Sequence, residues 1–280
     1  MRALEGVRHP ERAPAAHAAA ARYVQEQLAA VGLDAELRPF AFRGRTHHNV
    51  VAEIPGRDPV RPRVLIGAHY DTIASSPGAD DNASGVAGLL ESARALAGRS
   101  LHATVELVAF DLEEQQTTTY RVGSRRHARA ARAAGVRYAG ALVYEMIGYA
   151  DARPDTQKVP ALIAWKRIPR TGDFLAVTGD GQSRRLLRTF VESARARVPD
   201  LPVVPLVTPF RGWLVWQTRL SDNASFWSEG QPALMITDTA FLRNPHYHRA
   251  SDRAETLDYA FMARVVDATV ATALRLADAE

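Results

Sequence analysis

The chain of 280 residues contains no cysteine. This absence excludes disulfide bonds, thiolate metal sites and a cysteine nucleophile. Histidine and carboxylate side chains are then the only strong metal ligands that the sequence offers. Any metal site in this protein must therefore be built from imidazole and carboxylate groups.

Long apolar runs are also absent. No stretch approaches the roughly 20 apolar residues that span a bilayer, and the first residues, Met1 to Pro14, are charged rather than apolar and do not resemble a signal peptide. We therefore expect a soluble protein with no membrane partner, cytoplasmic as the sequence stands. A secreted protein trimmed of its leader would have the same sequence, so secretion is the alternative.

Lysine is scarce although the chain is basic. The net charge is +4 and the pI about 9.6, but only Lys158 and Lys166 are lysines, so 33 of the 35 basic residues are arginines. The arginines are scattered through alanine-rich segments such as 121–137, a pattern typical of an Arg- and Ala-biased proteome. No nucleic-acid recognition motif accompanies them. We therefore predict no nucleic-acid partner, and the sequence does not indicate an oligomeric state.

Hydrophobic residues make up 46% of the chain, enough for a substantial core. Short apolar runs typical of strands alternate with segments of helical apolar spacing. The predicted strands are 35–42, 49–54, 64–68, 104–110, 141–147, 174–178, 203–207 and 233–237. The predicted helices are 14–32, 84–96, 122–134, 183–197 and 257–278. The alternation predicts an α/β fold with a mixed, largely parallel central sheet sandwiched by helices. No linker or repeat is visible, so we predict one domain over residues 1–280.

Acidic and imidazole side chains follow, or end, three of the predicted strands. Ligands of open α/β sheets bind beyond the carboxyl ends of the strands, so these side chains are expected to converge. Five such groups at one edge are more than a structural core needs, and they predict a polar functional site. They are His69, Asp71, Glu113, Glu114 and Glu145.

Local spacing suggests how some of these residues could work. His69 and Asp71 are two apart, so both point the same way if the strand continues. Asp71 could then accept the second imidazole N–H while the other ring nitrogen binds a metal. Glu113 and Glu114 diverge on regular backbone, but at a bend one could bind metal and the other could activate water.

Two further segments offer ligands without deciding between them. Asp80 and Asp81 lie in the glycine-bounded turn 78–85 that opens a predicted helix, and either could simply cap that helix. His246 and His248 lie in the segment NPHYH, and either could bind a metal.

Six segments together resemble the M28 zinc aminopeptidases, whose clan also includes the glutaminyl cyclases. They occur in the family's order and cover nearly the whole chain. The resemblance implies a zinc-dependent exopeptidase type of α/β sandwich and an amide hydrolase, an aminopeptidase that releases N-terminal residues from a peptide or small amide. The segments are GAHYD at 67–71, GADDNASG at 78–85, DLEE at 111–114, EMIG at 145–148, SDNASFW at 221–227 and NPHYH…SD at 244–252.

The resemblance also implies a role for each matched residue. It implies two zinc ions bridged by one carboxylate, with two more ligands each. The implied ligands are Asp81 as the bridge, His69 and Glu145 at one zinc, and Glu114 and His248 at the other. The implied catalytic residues are Glu113 as general base, with Asp71 and Asp222 as supporting carboxylates. Carboxylate and imidazole ligands also accept Mn²⁺ or Co²⁺, so the choice of zinc rests on the resemblance.

The sequence departs from the family pattern at four places. Position 145 is Glu where many members have Asp, and the Thr-rich segment Gln115–Val122 is longer than usual. Asn223 stands where His is common, and Arg253 where Thr often follows Asp. None of these changes removes a ligand, but together they leave substrate preference open.

Two other functions are therefore kept as alternatives. One is a glutaminyl-cyclase-like acyltransferase, although such enzymes typically use one zinc and lack the first histidine ligand, and His69 is intact. The other is an amidase that acts on a non-peptide or specialised-metabolite amide. Five aromatic residues could either line the mouth of the site or pack in the core. They are Phe210, Trp213, Trp216, Phe226 and Trp227.

Overall fold

A computed structural model describes residues 1–114 and 119–278. The strands are β1 (Ala35–Phe42), β2 (Arg45–Ile54), β3 (Arg63–His69), β4 (Val105–Phe110), β5 (Tyr138–Glu145), β6 (Leu175–Asp180), β7 (Val203–Thr208) and β8 (Ala233–Thr237). The helices are α1 (Pro14–Ala29), α2 (Gly85–Leu96), α3 (Val122–Ala133), α4 (Arg184–Arg197), α5 (Asn223–Ser228) and α6 (Tyr259–Asp278). Every strand and helix that the sequence predicts is present, with small shifts at the ends.

All eight strands belong to one sheet in the order β1-β2-β4-β3-β5-β8-β6-β7. Strands β4, β3, β5 and β8 run parallel to one another. The β1–β2 hairpin is antiparallel to β4 at one edge, and the parallel pair β6–β7 is antiparallel to β8 at the other. The predicted mixed, largely parallel sheet is confirmed.

Helices cover both faces of the sheet because its central strands are apolar on both sides. On β3, Val64 and Ile66 face the larger core, which includes residues of α1, α2, α4 and α6. Leu65 faces the opposite way, into a smaller core with residues of α3 and α5. A parallel strand buried on both faces is expected to be a continuous apolar run. Residues 64–68 of β3 form such a run, and β4 has one interrupted only by Glu106. The predicted sandwich of helices is therefore present.

The short helix α5 was not predicted. Its residues Phe226 and Trp227 are fully buried in the smaller core, so for these two aromatics core packing is the correct explanation. β5 also ends earlier than predicted, at Glu145, because Met146 adopts a positive φ of 50° that stops the strand. In the part of the chain that the structure describes, no helix combines the length and apolarity needed to cross a bilayer.

Candidate metal centre

The predicted site residues meet at the carboxyl ends of three neighbouring parallel strands. His69 is the last residue of β3 and Glu145 the last of β5, while Glu113 and Glu114 follow the end of β4. In the sheet β3 lies between β4 and β5, so the three strand ends are adjacent. The expected convergence is observed.

A bend after β4 turns the adjacent glutamates toward the site. Leu112 has a φ of 55°, which breaks the strand before Glu113. The backbone N–H groups of Glu113 and Glu114 donate to the two carboxylate oxygens of Asp71 at 3.0 and 3.1 Å. The same carboxylate approaches Nδ1 of His69 only to 3.5 Å, longer than a normal hydrogen bond. Asp71 therefore fixes the backbone of the glutamate pair.

The carboxylate of Asp81 lies between two groups of possible ligands. Its Oδ1 is 3.4 Å from Nε2 of His69, and that nitrogen is 3.5 Å from Oε2 of Glu145. Its Oδ2 is 3.1 Å from Nε2 of His248, which in turn is 3.5 Å from Oε1 of Glu114. Each group places one ligand atom per residue within 4.8 Å of the others. All five predicted ligands are thus brought together in two triplets that share Asp81.

The second histidine of the NPHYH segment lies outside both triplets. Nδ1 of His246 is 3.0 Å from the hydroxyl of Ser251, and its ring packs edge-on against Tyr149 at 6.0 Å. Of the two imidazoles that the sequence offers there, the structure places His248 with the carboxylates.

The chemistry of the two triplets fits divalent cations. His69 is buried, and within residues 1–114 and 119–278 neither of its ring nitrogens has a hydrogen-bond partner. Buried polar atoms without a partner are costly, so these nitrogens call for a bound group such as a metal ion. Burial and the charge of Asp81 raise the pKa of Glu114 to about 7. Burial alone would lower the pKa of His248, but Asp81 and Glu114 raise it to about 10. This cluster of negative charge favours bound cations, and imidazole with carboxylate is a ligand set that zinc accepts.

Glu113 and Asp222 lie beside the triplets in different surroundings. Glu113 lines the cleft that opens next to the centre, and its Oε1 has no hydrogen-bond partner among the described residues. Burial raises the pKa of Glu113 well above its usual range. Asp222 precedes α5 and is fully buried, and burial raises its pKa to about 7. Glu113 therefore borders the cleft, whereas Asp222 is fully buried and does not line it.

Neither aspartate of the turn at 78–85 is a helix cap, so that alternative is wrong for both. The side chain of Asp80 accepts hydrogen bonds from the backbone of Gly148 at 2.9 Å and from Nδ2 of Asn244 at 2.6 Å. The carboxylate of Asp252 accepts from the backbone N–H groups of Asp80 and Asp81 at 2.8 and 3.2 Å. These contacts tie three distant loops to Asp80 and Asp81, and so to the turn that carries the shared carboxylate.

Two residues that the sequence did not single out also support the centre. The hydroxyl of Ser221 donates to Oε2 of Glu145 at 2.6 Å. The buried guanidinium of Arg8 donates to the backbone oxygens of Tyr70 and Gly78, at 2.8 and 2.9 Å. Arg8 thereby connects the loop after β3 to the turn that carries Asp81.

A cleft of about 500 Å³ opens beside the centre. A row of aromatic rings follows its wall away from His248. Tyr247 stacks on His248 at 3.8 Å, Phe241 lies 5.6 Å from Tyr247, and Trp216 lies 6.5 Å from Phe241. Trp216 therefore lines the site, which is one of the two alternatives that the sequence left open for the aromatic residues.

Four other residues that the sequence singled out lie away from the cleft wall, whereas Tyr120 of the long segment lines it. Phe210 and Trp213 are 77% and 71% exposed and do not line the cleft. Asn223 is buried and donates to the backbone oxygen of Thr218 at 3.0 Å. Arg253 pairs with Glu5 at 3.1 Å. Of the predicted long segment, residues 115–118 lie outside the described part of the chain.

Comparison with known proteins places the chain in a family. The profile of peptidase family M28 matches residues 49–273. The uncharacterized protein YfbL of Escherichia coli is 38% identical over 260 residues, which cover 89% of this chain and 77% of that protein. The chain spans about half the length of the curated leucine aminopeptidases that it matches, 53% in the first of them.

Solved structures share the fold at low sequence identity. The aminopeptidase LapA of Legionella pneumophila has a TM-score of 0.75 at 20% identity, over 98% of this chain and 69% of LapA. The glutaminyl cyclase of Tannerella forsythia has a TM-score of 0.71 at 20% identity, over 100% of this chain and 95% of that one. The profile match and the identity with YfbL carry the assignment, and the chain belongs to peptidase family M28, a family of zinc metallopeptidases.

Proposed function

We propose that this protein hydrolyses an amide bond at a centre of two zinc ions, and that it acts as an aminopeptidase releasing N-terminal residues. The observation that carries the proposal is the position of Asp81, whose two oxygens face different ligand triplets. A carboxylate with separate partners on each side suits two ions about 3.5–4 Å apart.

In this proposal each triplet of ligands binds one of the two zinc ions. His69 and Glu145 would hold one ion, Glu114 and His248 the other, and Asp81 both. The three carboxylates offset most of the charge of two divalent cations. The same ligands also accept Mn²⁺ or Co²⁺, so the metal bound in the cell is a separate question.

The surrounding residues supply the proton transfers and the geometry. Zinc ions at these positions would polarise the scissile carbonyl and lower the pKa of water toward about 7. Glu113, whose Oε1 lacks a partner within the described residues, would accept a proton from the attacking water and return it to the leaving amine. Asp71 and Asp222 would act as positioning residues, Asp71 through the backbone of the glutamate pair.

A glutaminyl-cyclase-like transferase is the second candidate. It is favoured by one observation, the match to the Tannerella forsythia enzyme over nearly the full length of both chains. A one-zinc cyclase site would give no role to His69, whose nitrogen faces two carboxylates in the first triplet. The first triplet therefore supports the hydrolase. An amidase with a non-peptide substrate would use the same centre and differ only in what the cleft binds.

Zinc content and reaction type together test the proposal. The purified protein is freed of metal with a chelator, titrated with Zn²⁺, and assayed on aminoacyl-4-nitroanilides and on a peptide with N-terminal glutamine. We expect full activity at two zinc ions per chain and release of nitroaniline. One zinc per chain at full activity, cyclisation of the glutamine peptide and no effect of His69→Ala would overturn the proposal.

Ser221→Ala is expected to weaken the binding of one of the two zinc ions and to leave the affinity for the other unchanged. The hydroxyl holds Oε2 of Glu145 at 2.6 Å, and loss of a residue that orients a ligand typically costs about 10–100-fold in metal affinity. Competition with a chelating dye measures both affinities. Ser228→Ala is the control, because its hydroxyl donates to the backbone of Ala224. Two affinities equal to those of the wild type in Ser221→Ala would contradict the assignment of Glu145.

A further inference from the structure

The cleft beside the centre is larger than one amino-acid side chain requires. Its volume is about 500 Å³, whereas a dry protein cavity of about 150 Å³ accommodates a benzene ring. The cleft could therefore hold an apolar group about three times that size. A leucine or phenylalanine side chain would fill only a fraction of it.

The floor of the cleft is a row of side chains that crosses four strands. Glu145 on β5 pairs with Thr237 on β8, Thr237 with Ala176 on β6, and Ala176 with Val204 on β7. Partners in register point to the same face of a sheet, and all four residues line the cleft. Because neighbouring strands lie about 4.8 Å apart, the row extends about 14 Å from Glu145 to β7.

A second row on the same face makes the floor wide and mainly apolar. Thr178 on β6 pairs with Met235 on β8 and with Leu206 on β7, and these three residues also line the cleft. At the far end, Leu206 packs with Ile163 and Val215 in a small buried cluster, separate from the two main cores. The floor therefore runs from the metal centre to an apolar end on the edge strand β7, where these three buried side chains pack together.

The apolar end of the floor indicates which part of a substrate lies there. The leaving part of a peptide has no fixed length and needs an open exit. A cleft that ends against Ile163, Leu206 and Val215 instead suits a group of limited length on the acyl side of the scissile bond. The long floor requires that group to be extended and apolar.

We propose that the preferred substrates carry, on the acyl side of the scissile amide, an extended apolar chain considerably longer than the side chain of leucine. The chain lies along the two rows of the floor and ends near Leu206. This inference rests on the proposed function for the position of the scissile bond, but the binding site for the chain is a property of the floor itself.

A series of substrates of increasing length tests the inference. The zinc-loaded protein is assayed on the 4-nitroanilides of alanine, leucine and 2-aminodecanoic acid. We expect kcat/KM to be at least about tenfold higher for the aminodecanoyl than for the leucyl compound, because each buried methylene can add up to about fourfold. A value for the aminodecanoyl compound equal to or below the leucyl value would overturn the inference.

Substitution at the apolar end of the floor supplies the matched comparison. Leu206→Trp shortens the floor three strands away from Glu145, so we expect the ratio of the aminodecanoyl to the leucyl kcat/KM to fall to about one. Leu206→Met conserves the side-chain volume and is expected to keep the advantage. A long-chain advantage that survives in Leu206→Trp would contradict the placement of the chain.

Calorimetric binding of free amino acids separates this inference from the proposed function. We expect 2-aminodecanoic acid to bind at least about tenfold more tightly than leucine, with a more negative heat-capacity change from apolar burial, and Leu206→Trp to remove the difference. Equal binding of the two amino acids would refute the chain site even if leucyl-4-nitroaniline is hydrolysed. Tight binding without hydrolysis of any nitroanilide would uphold the chain site and refute the proposed function.

Discussion

Glu113→Gln is expected to reduce kcat by about 10²–10⁴-fold while both zinc ions stay bound. The substitution keeps the size and the buried position of the side chain but removes its ability to accept a proton. Glu113 lines the cleft beside the centre, and its buried Oε1 has no hydrogen-bond partner in the described part of the chain, so no residue among those described competes with water for this oxygen. Steady-state kinetics and elemental analysis of the same preparation give the two quantities.

The neighbouring glutamate is the control for this result. Glu114→Gln alters a member of the second triplet, so we expect loss of zinc as well as loss of activity. The pair of variants thus separates proton transfer from metal binding at adjacent positions in the chain. If Glu113→Gln lost zinc and Glu114→Gln kept it, the two roles would have to be exchanged.

Asp81→Asn is expected to have the largest effect on metal binding. We expect the affinity for both zinc ions to fall and activity to be lost. Each oxygen of Asp81 faces one triplet, and an amide must turn its NH₂ group toward either His69 or His248. Residues that merely orient a metal ligand already contribute about 10–100-fold to affinity, so we expect a loss of at least about 100-fold at each ion. Zinc content after dialysis against a weak chelator measures the loss.

Asp80→Asn is the matched control, one residue away. The side chain of Asp80 accepts hydrogen bonds from Gly148 and Asn244 and belongs to neither triplet. This variant is expected to be less stable but still to bind two zinc ions per chain. Retention of two zinc ions by Asp81→Asn, or equal loss of zinc in both variants, would be inconsistent with a bridging role for Asp81.

The sheet and the helices could be predicted because their signals are local. Apolar periodicity and short buried runs identified every strand, and the topological rule for strand ends placed His69, Glu113 and Glu145 together. The end of β5 was misplaced because it depends on the positive φ of Met146. An apolar run that continues to Ile147 does not reveal that turn.

The supports of the centre could not be predicted because they join distant parts of the chain. Asp252 binds backbone 172 residues away, at Asp80, and Ser221 binds Glu145 across 76 residues. Arg8 reaches the oxygen of Gly78 across 70 residues. Each contact is made by an ordinary polar residue with no periodic pattern. Only the folded arrangement of the loops brings these residues to the ligands.

The dimensions of the cleft also depend on the fold. Its floor needs the order β5-β8-β6-β7 and the antiparallel pairing of β6 with β8, and chain order does not reveal either. The apolar end of the cleft includes Ile163 and Val215, which lie in a segment that many prolines interrupt. Sequence patterns therefore indicated the chemistry of the site but not the size of the group that fits beside it.

Anomalous diffraction at the zinc absorption edge, from crystals grown with Zn²⁺, tests the two-metal centre most directly. We expect two peaks about 3.5–4 Å apart, one between His69, Asp81 and Glu145 and the other between Asp81, Glu114 and His248. A single peak that leaves one triplet without metal at saturating Zn²⁺, or peaks away from Asp81, would contradict the account.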